Sequence, residues 1–339
     1  MDLCINIKPL IVQHLYVFDR LRGACNHYLG KIITNYSSSI GSSVNLNKKE
    51  GRSAIDWIVY IGVKIFIALF SILPRSFVYS FMKTLSLTFY HMSRRRREIT
   101  MDNLAKAFPS KNNDEIEQLS KDVFVELSKT VAEILLMVSN RFDIDTAIIN
   151  KDEALQKLKT LKEEYKGGWI FITAHFSNWE ITAQFLAKHG YPMLVIGREG
   201  DNRWIDQNIT LPFRQHYGNK TAYKKNAAIS IFKTLKRGER VGILIDQKTS
   251  KDEGVKTKFF ERDVYTTAVV ATMKEKLDIL VVPIFLPRID NGQYKLIVGD
   301  PIQESGDIHK MTQCYSDEME KIIRKYPSQW FWMHNRWKL

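Results

Sequence analysis

The run ITAHFSNWE (172–180) ends an apolar stretch on a histidine and carries a glutamate five residues later. Histidine titrates near neutrality, so His175 can take a proton from a hydroxyl, and a neighbouring carboxylate would fix its tautomer and steady the imidazolium. Five residues along one helix separate two side chains by about 140°, so a shared helical face is not expected. His175 should instead sit in the turn after a strand. Glu180 should then fall in the first turn of the next helix, from which its carboxylate reaches an imidazole nitrogen. Ser177 and Glu180 also have the S-x-x-E spacing of a capping box, which accounts for both residues without catalysis.

Two further polar positions follow the same rule. Arg198 comes after PMLVI (192–196), and Asp246, with Gln247 behind it, comes after VGILI (241–245), each within two residues of its run. In open parallel sheets ligands bind at the carboxyl ends of strands. A His, an Arg and an Asp at three successive strand ends form a polar cluster that core packing does not require. Asp246 also suits a loop cap that only shapes its turn. The cluster offers fewer nitrogen and sulfur ligands than a zinc site takes, so no metal and no cofactor is expected. No G-x-S-x-G is present, which leaves a serine nucleophile unsupported.

The elements that must position these residues are short apolar runs, WIFIT (169–173), PMLVI, VGILI and ILVVPIFL (279–286), separated by helical stretches. That alternation predicts an α/β fold with a mainly parallel sheet covered by helices. A helix is expected over Asp114 to Val138, where Ile116, Leu119, Val123, Leu127, Val131 and Leu135 recur at three or four residues. Upstream, Trp57 to Leu73 is apolar apart from Lys64, nearly the length that spans a bilayer core, and Pro74 ends it. An amphipathic stretch, Phe77 to Met92, and four arginines, Arg94 to Arg97, come next. Arginines in that place meet anionic headgroups, so residues 55–97 read as a membrane-associated helical segment ahead of a domain over 98–339. A pair of buried helices packed on the domain is the competing reading. Residues 1–54 form an extension whose Ser/Asn-rich part (34–51) reads as a flexible linker, with no signal-peptide pattern.

Composition bounds the rest. The 339 residues are 45% apolar and 26% charged, a globular balance, and 50 Lys+Arg against 37 Asp+Glu leave +13. Residues 75–111 hold eight Lys/Arg and two Asp/Glu, and residues 181–260 hold fifteen and seven, so the surplus is concentrated beside the apolar segment and around the cluster. Such charge suits a membrane, a phosphorylated substrate or an acidic protein. Nucleic acid is not expected, because no helix-turn-helix, zinc-finger or RNP element appears. Three cysteines without C-x-x-C spacing exclude a disulfide framework, and a mean hydropathy of -0.24 is too low for a polytopic membrane protein.

The AHFSNWE block resembles the signature of the late lipid A acyltransferases, the lauroyl/myristoyl transferase family of bacterial lipopolysaccharide synthesis. Further matches come in the same order. Arg94 to Arg97, Asn103-Leu104 and Phe108-Pro109 resemble that family's early markers, and Glu133 its next acidic one. Arg198 with Asn202, Arg214 with Gly218, and Asp246-Gln247 resemble the following blocks. Phe259-Phe260, Thr266-Thr267, Pro283 and YPSQWFWMHNRWK (326–338) resemble the last ones. The likeness runs from about residue 55 to the C-terminus. Glu261 departs from it, standing where many relatives have Gly.

The resemblance implies transfer of a fatty acyl chain from acyl carrier protein to a hydroxyl of a lipid A precursor, at the cytoplasmic face of the inner membrane. His175 would be the general base, Glu180 would orient and polarise it, and the hydroxyl would attack the thioester directly. Arg198, Asp246 and Gln247 would bind substrate. An acyltransferase acting on a glycerophospholipid or another glycolipid would use the same chemistry. A non-catalytic lipid-binding protein with this fold is a third possibility.

Overall fold

The computed structural model describes residues 48–223, 227–289 and 292–338. Residues 34–47 of the expected linker and the cysteines Cys4 and Cys25 lie outside the described residues, while its last four residues, 48–51, are helical and not a flexible linker.

The described residues open with four helices, α1 (Lys48–Ile72), α2 (Arg75–Met92), α3 (Arg94–Ala107) and α4 (Asn113–Val138). Pro74 separates the first two because it cannot continue a helix, yet it serves well at a helix start. A capping box opens α4: the Asn112 side chain accepts from Glu115 N, and the Glu115 carboxylate accepts from Asn112 N. Of the apolar period foreseen in α4, Ile116 and Val123 are buried toward the domain and Leu119, Leu127, Val131 and Leu135 are half-buried. Phe124 also faces the domain, while Ala132 and Leu136, outside that period, are buried toward α1 and α2. Val78 and Met82 of α2 pack with Phe70 of α1 in that second cluster.

A short α5 (Ile144–Ala147) and α6 (Lys151–Glu164) lead into β1 (Gly168–Thr173). The alternation then runs α7 (Trp179–Lys188), β2 (Met193–Gly197), a helical passage and β3 (Lys220–Tyr223). That passage is α8 (Arg203–Ile205), a π-helical turn (Asp206–Thr210) and α9 (Leu211–Gln215). Next come α10 (Ala227–Lys236), β4 (Arg240–Leu244), the hairpin β5 (Gly254–Phe259) with β6 (Arg262–Thr267), and α11 (Val269–Lys276). The chain ends with β7 (Ile279–Phe285), β8 (Ile297–Val298), α12 (Ile308–Lys325) and a 3-10 turn, Pro327–Gln329.

The main sheet has the order β3-β2-β4-β1-β7-β8, parallel except for β8. Its two faces bury different side chains of the same strand, as a two-residue period requires: Ile170 and Ile172 of β1 face one core, Trp169 and Phe171 the other. The fold is therefore the expected one, a mainly parallel sheet covered by helices. The β5–β6 hairpin turns through Phe260 and Glu261, both at positive φ (50° and 61°). A two-residue hairpin loop needs that geometry and glycine adopts it most cheaply, which is the physical content of the departure at Glu261.

The outer faces of α1 and α2 are apolar. Trp57, Ile58, Ile65, Leu69 and Ile72 of α1 are exposed, with Phe77 and Phe81 of α2 beside them. Among the described residues, Ala54–Ile72 is the one helix long and apolar enough to cross a membrane. Its other side is engaged by protein: Val63 and Phe70 are buried, Tyr60 stacks on Trp204, and Asn202 donates to the Asp56 carbonyl at 2.7 Å.

Candidate active site

β1 and β4 are neighbours in register, Thr173 opposite Leu244, so the residues two places beyond each strand, His175 and Asp246, also stand opposite one another. From this point β1 leaves toward β2 on one side and β4 toward β7 on the other. A reversal of that kind opens a crevice at the strand ends, the usual ligand position in such sheets.

The Asp246 carboxylate is fully buried and takes three donors. Oδ1 accepts from His175 Nδ1 at 2.8 Å, and Oδ2 accepts from His175 N at 3.0 Å and from the Trp330 indole at 2.8 Å. Burial alone would raise its pKa, but the His175 ring and these hydrogen bonds outweigh it and hold the carboxyl well below the usual range. An ionised carboxylate on Nδ1 requires the proton there, which leaves the lone pair on Nε2. That nitrogen stands 3.4 Å from the Gln247 side-chain amide.

The loop after β1 is clamped on both sides. Ser177 N donates to Gln329 O at 2.6 Å, Phe331 N to His175 O at 3.0 Å, and the Thr130 hydroxyl to Ser177 O at 3.1 Å. Ser177 is held at φ 51°, so it cannot act as the helix cap. Asn178 does so one residue later, its side chain accepting from Ile181 N. The capping-box reading of Ser177 and Glu180 is therefore not realised. Strain held at such a loop is characteristic of functional sites, where surrounding contacts over-determine the backbone.

Beneath this loop lies a buried ionic group unforeseen from the sequence. Glu133 of α4 accepts from Asn178 (2.9 Å), from Arg288 (2.8 Å) and from the Tyr294 hydroxyl, and Tyr79 of α2 reaches its other oxygen at 3.4 Å. Arg288 also pairs with Glu126. Burial and the Glu133 charge, together outweighing Arg288, push the Tyr294 hydroxyl well up. Gln329 accepts from Arg288 N and donates to Arg288 O, so this group and the clamp on Ser177 are one network.

Glu180 lies in the first turn of α7, as expected, but its carboxylate is engaged elsewhere. Oε1 takes the Arg214 guanidinium at 2.8 and 3.2 Å, in a pair that is nearly buried. Beside it, Tyr223 donates to Asp206 at 2.5 Å across the π-helical turn. The sequence assigns Glu180 to the imidazole and Asp246 to substrate. In the structure Asp246 holds the imidazole, and with no exposed surface it is out of reach of a substrate. Arg198, after β2, donates to Asp201 at 3.0 Å and is partly exposed.

Beside His175 is an open, shallow cleft lined by Val123, Leu127, Trp179 and Phe331, with Glu126 and Thr130 at its polar side. Among the described residues no group of three His, Cys, Asp or Glu side chains is placed to hold a metal ion. Trp330 and Arg336 belong to the closing block YPSQWFWMHNRWK, but their roles are not legible there, since each acts across some seventy or more residues of chain. Arg336 is buried and donates to Gln247 O, Tyr265 O and Thr266 Oγ1.

Comparison with known proteins shows which family the chain falls in. A family model described as bacterial lipid A biosynthesis acyltransferase matches residues 46–339. The chain belongs to that family. It is 23% identical over 294 residues to a lipid A biosynthesis acyltransferase of Haemophilus influenzae, covering 83% of this chain and 90% of that one. It is likewise 23% identical to two Escherichia coli proteins. One is the lipid A biosynthesis lauroyltransferase, with 83% of this chain and 92% of that one covered. The other is the palmitoleoyltransferase, with 72% and 79%. This member is thus an acyltransferase of lipid A biosynthesis, with a lipid A precursor as acceptor.

Proposed function

We propose that this acyltransferase takes its acyl group from the thioester of acyl carrier protein and passes it to a hydroxyl of the lipid A precursor by direct attack. His175 Nε2 removes the hydroxyl proton, and Asp246 holds the ring in the required tautomer and stabilises the imidazolium. Glu180 serves the site through Arg214. Arg198 and its basic neighbours hold acceptor phosphates, and Gln247 meets the substrate beside the base. Residues 55–97 form the membrane-facing element and residues 98–339 the acyltransferase unit, with residues 1–54 preceding both. The apolar face of α1 and α2 rests on the inner membrane, with the cleft on the cytoplasmic side.

The observation that carries the reading is a histidine that lines a cleft with largely apolar walls and has one ring nitrogen committed to a fully buried carboxylate. The test is mass spectrometry of a lipid A precursor incubated with purified protein and acyl-loaded carrier protein. One added acyl chain is expected. His175→Ala should lose roughly 100- to 10,000-fold of the rate. No acylation from the carrier protein, or a folded His175→Ala protein working near the wild-type rate, would contradict it.

A further inference from the structure

Gln247 is fixed at its backbone, and the residue is only partly buried. The residue before it, Asp246, is immobilised by three hydrogen bonds, and its own carbonyl accepts from the buried Arg336 at 3.0 Å, itself tied to β6. The side chain reaches back to within 3.4 Å of the base nitrogen and is only partly buried. Because Nε2 carries the lone pair, the contact is made by an amide N–H donating to it. An acceptor hydroxyl that binds Nε2 must take that lone pair. The amide then loses its acceptor while still standing next to the reacting oxygen.

We infer that Gln247 is the donor for the thioester carbonyl oxygen, released by the incoming hydroxyl and realigned onto the oxyanion as attack proceeds. The inference rests on the direct-attack reading above. The acceptor oxygen forms a bond to the thioester carbon as its proton passes to His175 Nε2, and the carbonyl π pair moves onto oxygen, where the Gln247 N–H holds it. When the intermediate collapses the pair returns, the C–S bond breaks, and the leaving thiolate takes the proton from Nε2. The cationic groups nearby are engaged with carboxylates: Arg198 with Asp201, Arg214 with Glu180, Arg288 with Glu126 and Glu133. The Lys248 ammonium donates to the Lys338 carbonyl. A neutral amide so close to the base is the group best placed for the oxygen.

The test compares wild type, His175→Ala, Gln247→Ala and Gln247→Glu on acyl carrier protein thioester and lipid A precursor, with melting curves for each. Loss of one oxyanion donor typically lowers kcat by roughly 100- to 1,000-fold. That loss is expected for Gln247→Ala, with KM changed by less than about threefold because the donation strengthens in the transition state. Gln247→Glu keeps the size and places a negative charge against the oxyanion, so it should fall at least as far. A folded Gln247→Ala protein with kcat within about threefold of wild type, or Gln247→Glu at the wild-type rate, overturns the inference while a dead His175→Ala leaves the base intact. A wild-type protein that transfers nothing, or an active His175→Ala, overturns the underlying reading and this one together.

Discussion

Replacing Asp246 with Asn tests the site at its most determined point, because each outcome follows from the three hydrogen bonds its carboxylate accepts. The amide is nearly isosteric but cannot accept at both ends. If its oxygen takes the place of Oδ2, it keeps the donors His175 N (3.0 Å) and Trp330 Nε1 (2.8 Å), and its NH2 faces His175 Nδ1. If it flips, its NH2 meets those two buried donors head on, at about 1–3 kcal/mol for each one left unsatisfied. The first arrangement is therefore favoured by several kcal/mol. It forces Nδ1 to accept and moves the ring proton to Nε2, where the base must be empty. Turnover should fall by about 1,000- to 10,000-fold, or roughly 4–5.5 kcal/mol in the barrier, the scale of the same exchange in a Ser-His-Asp site. KM should hardly change, since Asp246 has no exposed surface. The assay is acyl transfer at saturating substrate, with melting to confirm folding and nitrogen NMR of the imidazole to show which nitrogen is protonated. A folded Asp246→Asn protein within about tenfold of wild type, or one whose ring keeps its proton on Nδ1, would refute the reasoning.

Glu180→Gln should act mainly on stability, because it strips the buried Arg214 of its counter-charge, costing on the order of 3 kcal/mol. Its kcat loss should be smaller than that of His175→Ala, and an unchanged melting temperature would show that the pair is not structural. Serine at Trp57, Ile65, Leu69 and Ile72 together should release the protein from liposomes, since each is exposed and worth on the order of 1–2 kcal/mol when buried in lipid. Undiminished sedimentation with vesicles would place the anchor elsewhere. His334 is lowered from 6.5 to about 4 because burial disfavours the charged ring. The unfolded chain then binds the proton that the folded one refuses, so stability falls as pH drops through 6.5 toward 4, by up to roughly 3 kcal/mol. His334→Gln should lose less melting temperature between pH 7 and pH 5 than wild type, and parallel curves would contradict the assignment.

The four central strands and the long helices were legible because their apolar periods are strong and their ends carry turn residues. β3 (KTAY) and the β5–β6 hairpin were not, since an edge strand and a half-exposed ribbon carry too few apolar residues to rise above loop composition. The placement of His175, Arg198 and Asp246 at strand ends followed from those runs alone. For residues 77–92 the sequence favours a membrane contact over burial against the domain; in the structure Phe77 and Phe81 are exposed while Val78 and Met82 are buried in the cluster with α4.

Which strands become neighbours decided the chemistry, and no local pattern contains that. Glu180 lies five residues from His175 in sequence, yet helix α7 carries its carboxylate to Arg214, whereas Asp246, seventy-one residues away, arrives opposite His175 because β4 pairs with β1 in register. The Glu133, Arg288 and Tyr294 group assembles for the same reason from two stretches of chain, Glu133 and Arg288 standing 155 residues apart. Residue types, strand ends and apolar faces are properties of short stretches of chain, so the sequence by itself determined the fold class, the strand-end position of His175 and the exposed apolar face of the first helix. The partner of each buried charge is set by desolvation, which admits a charge only where a distant counter-charge meets it, and that was decided by the tertiary structure alone.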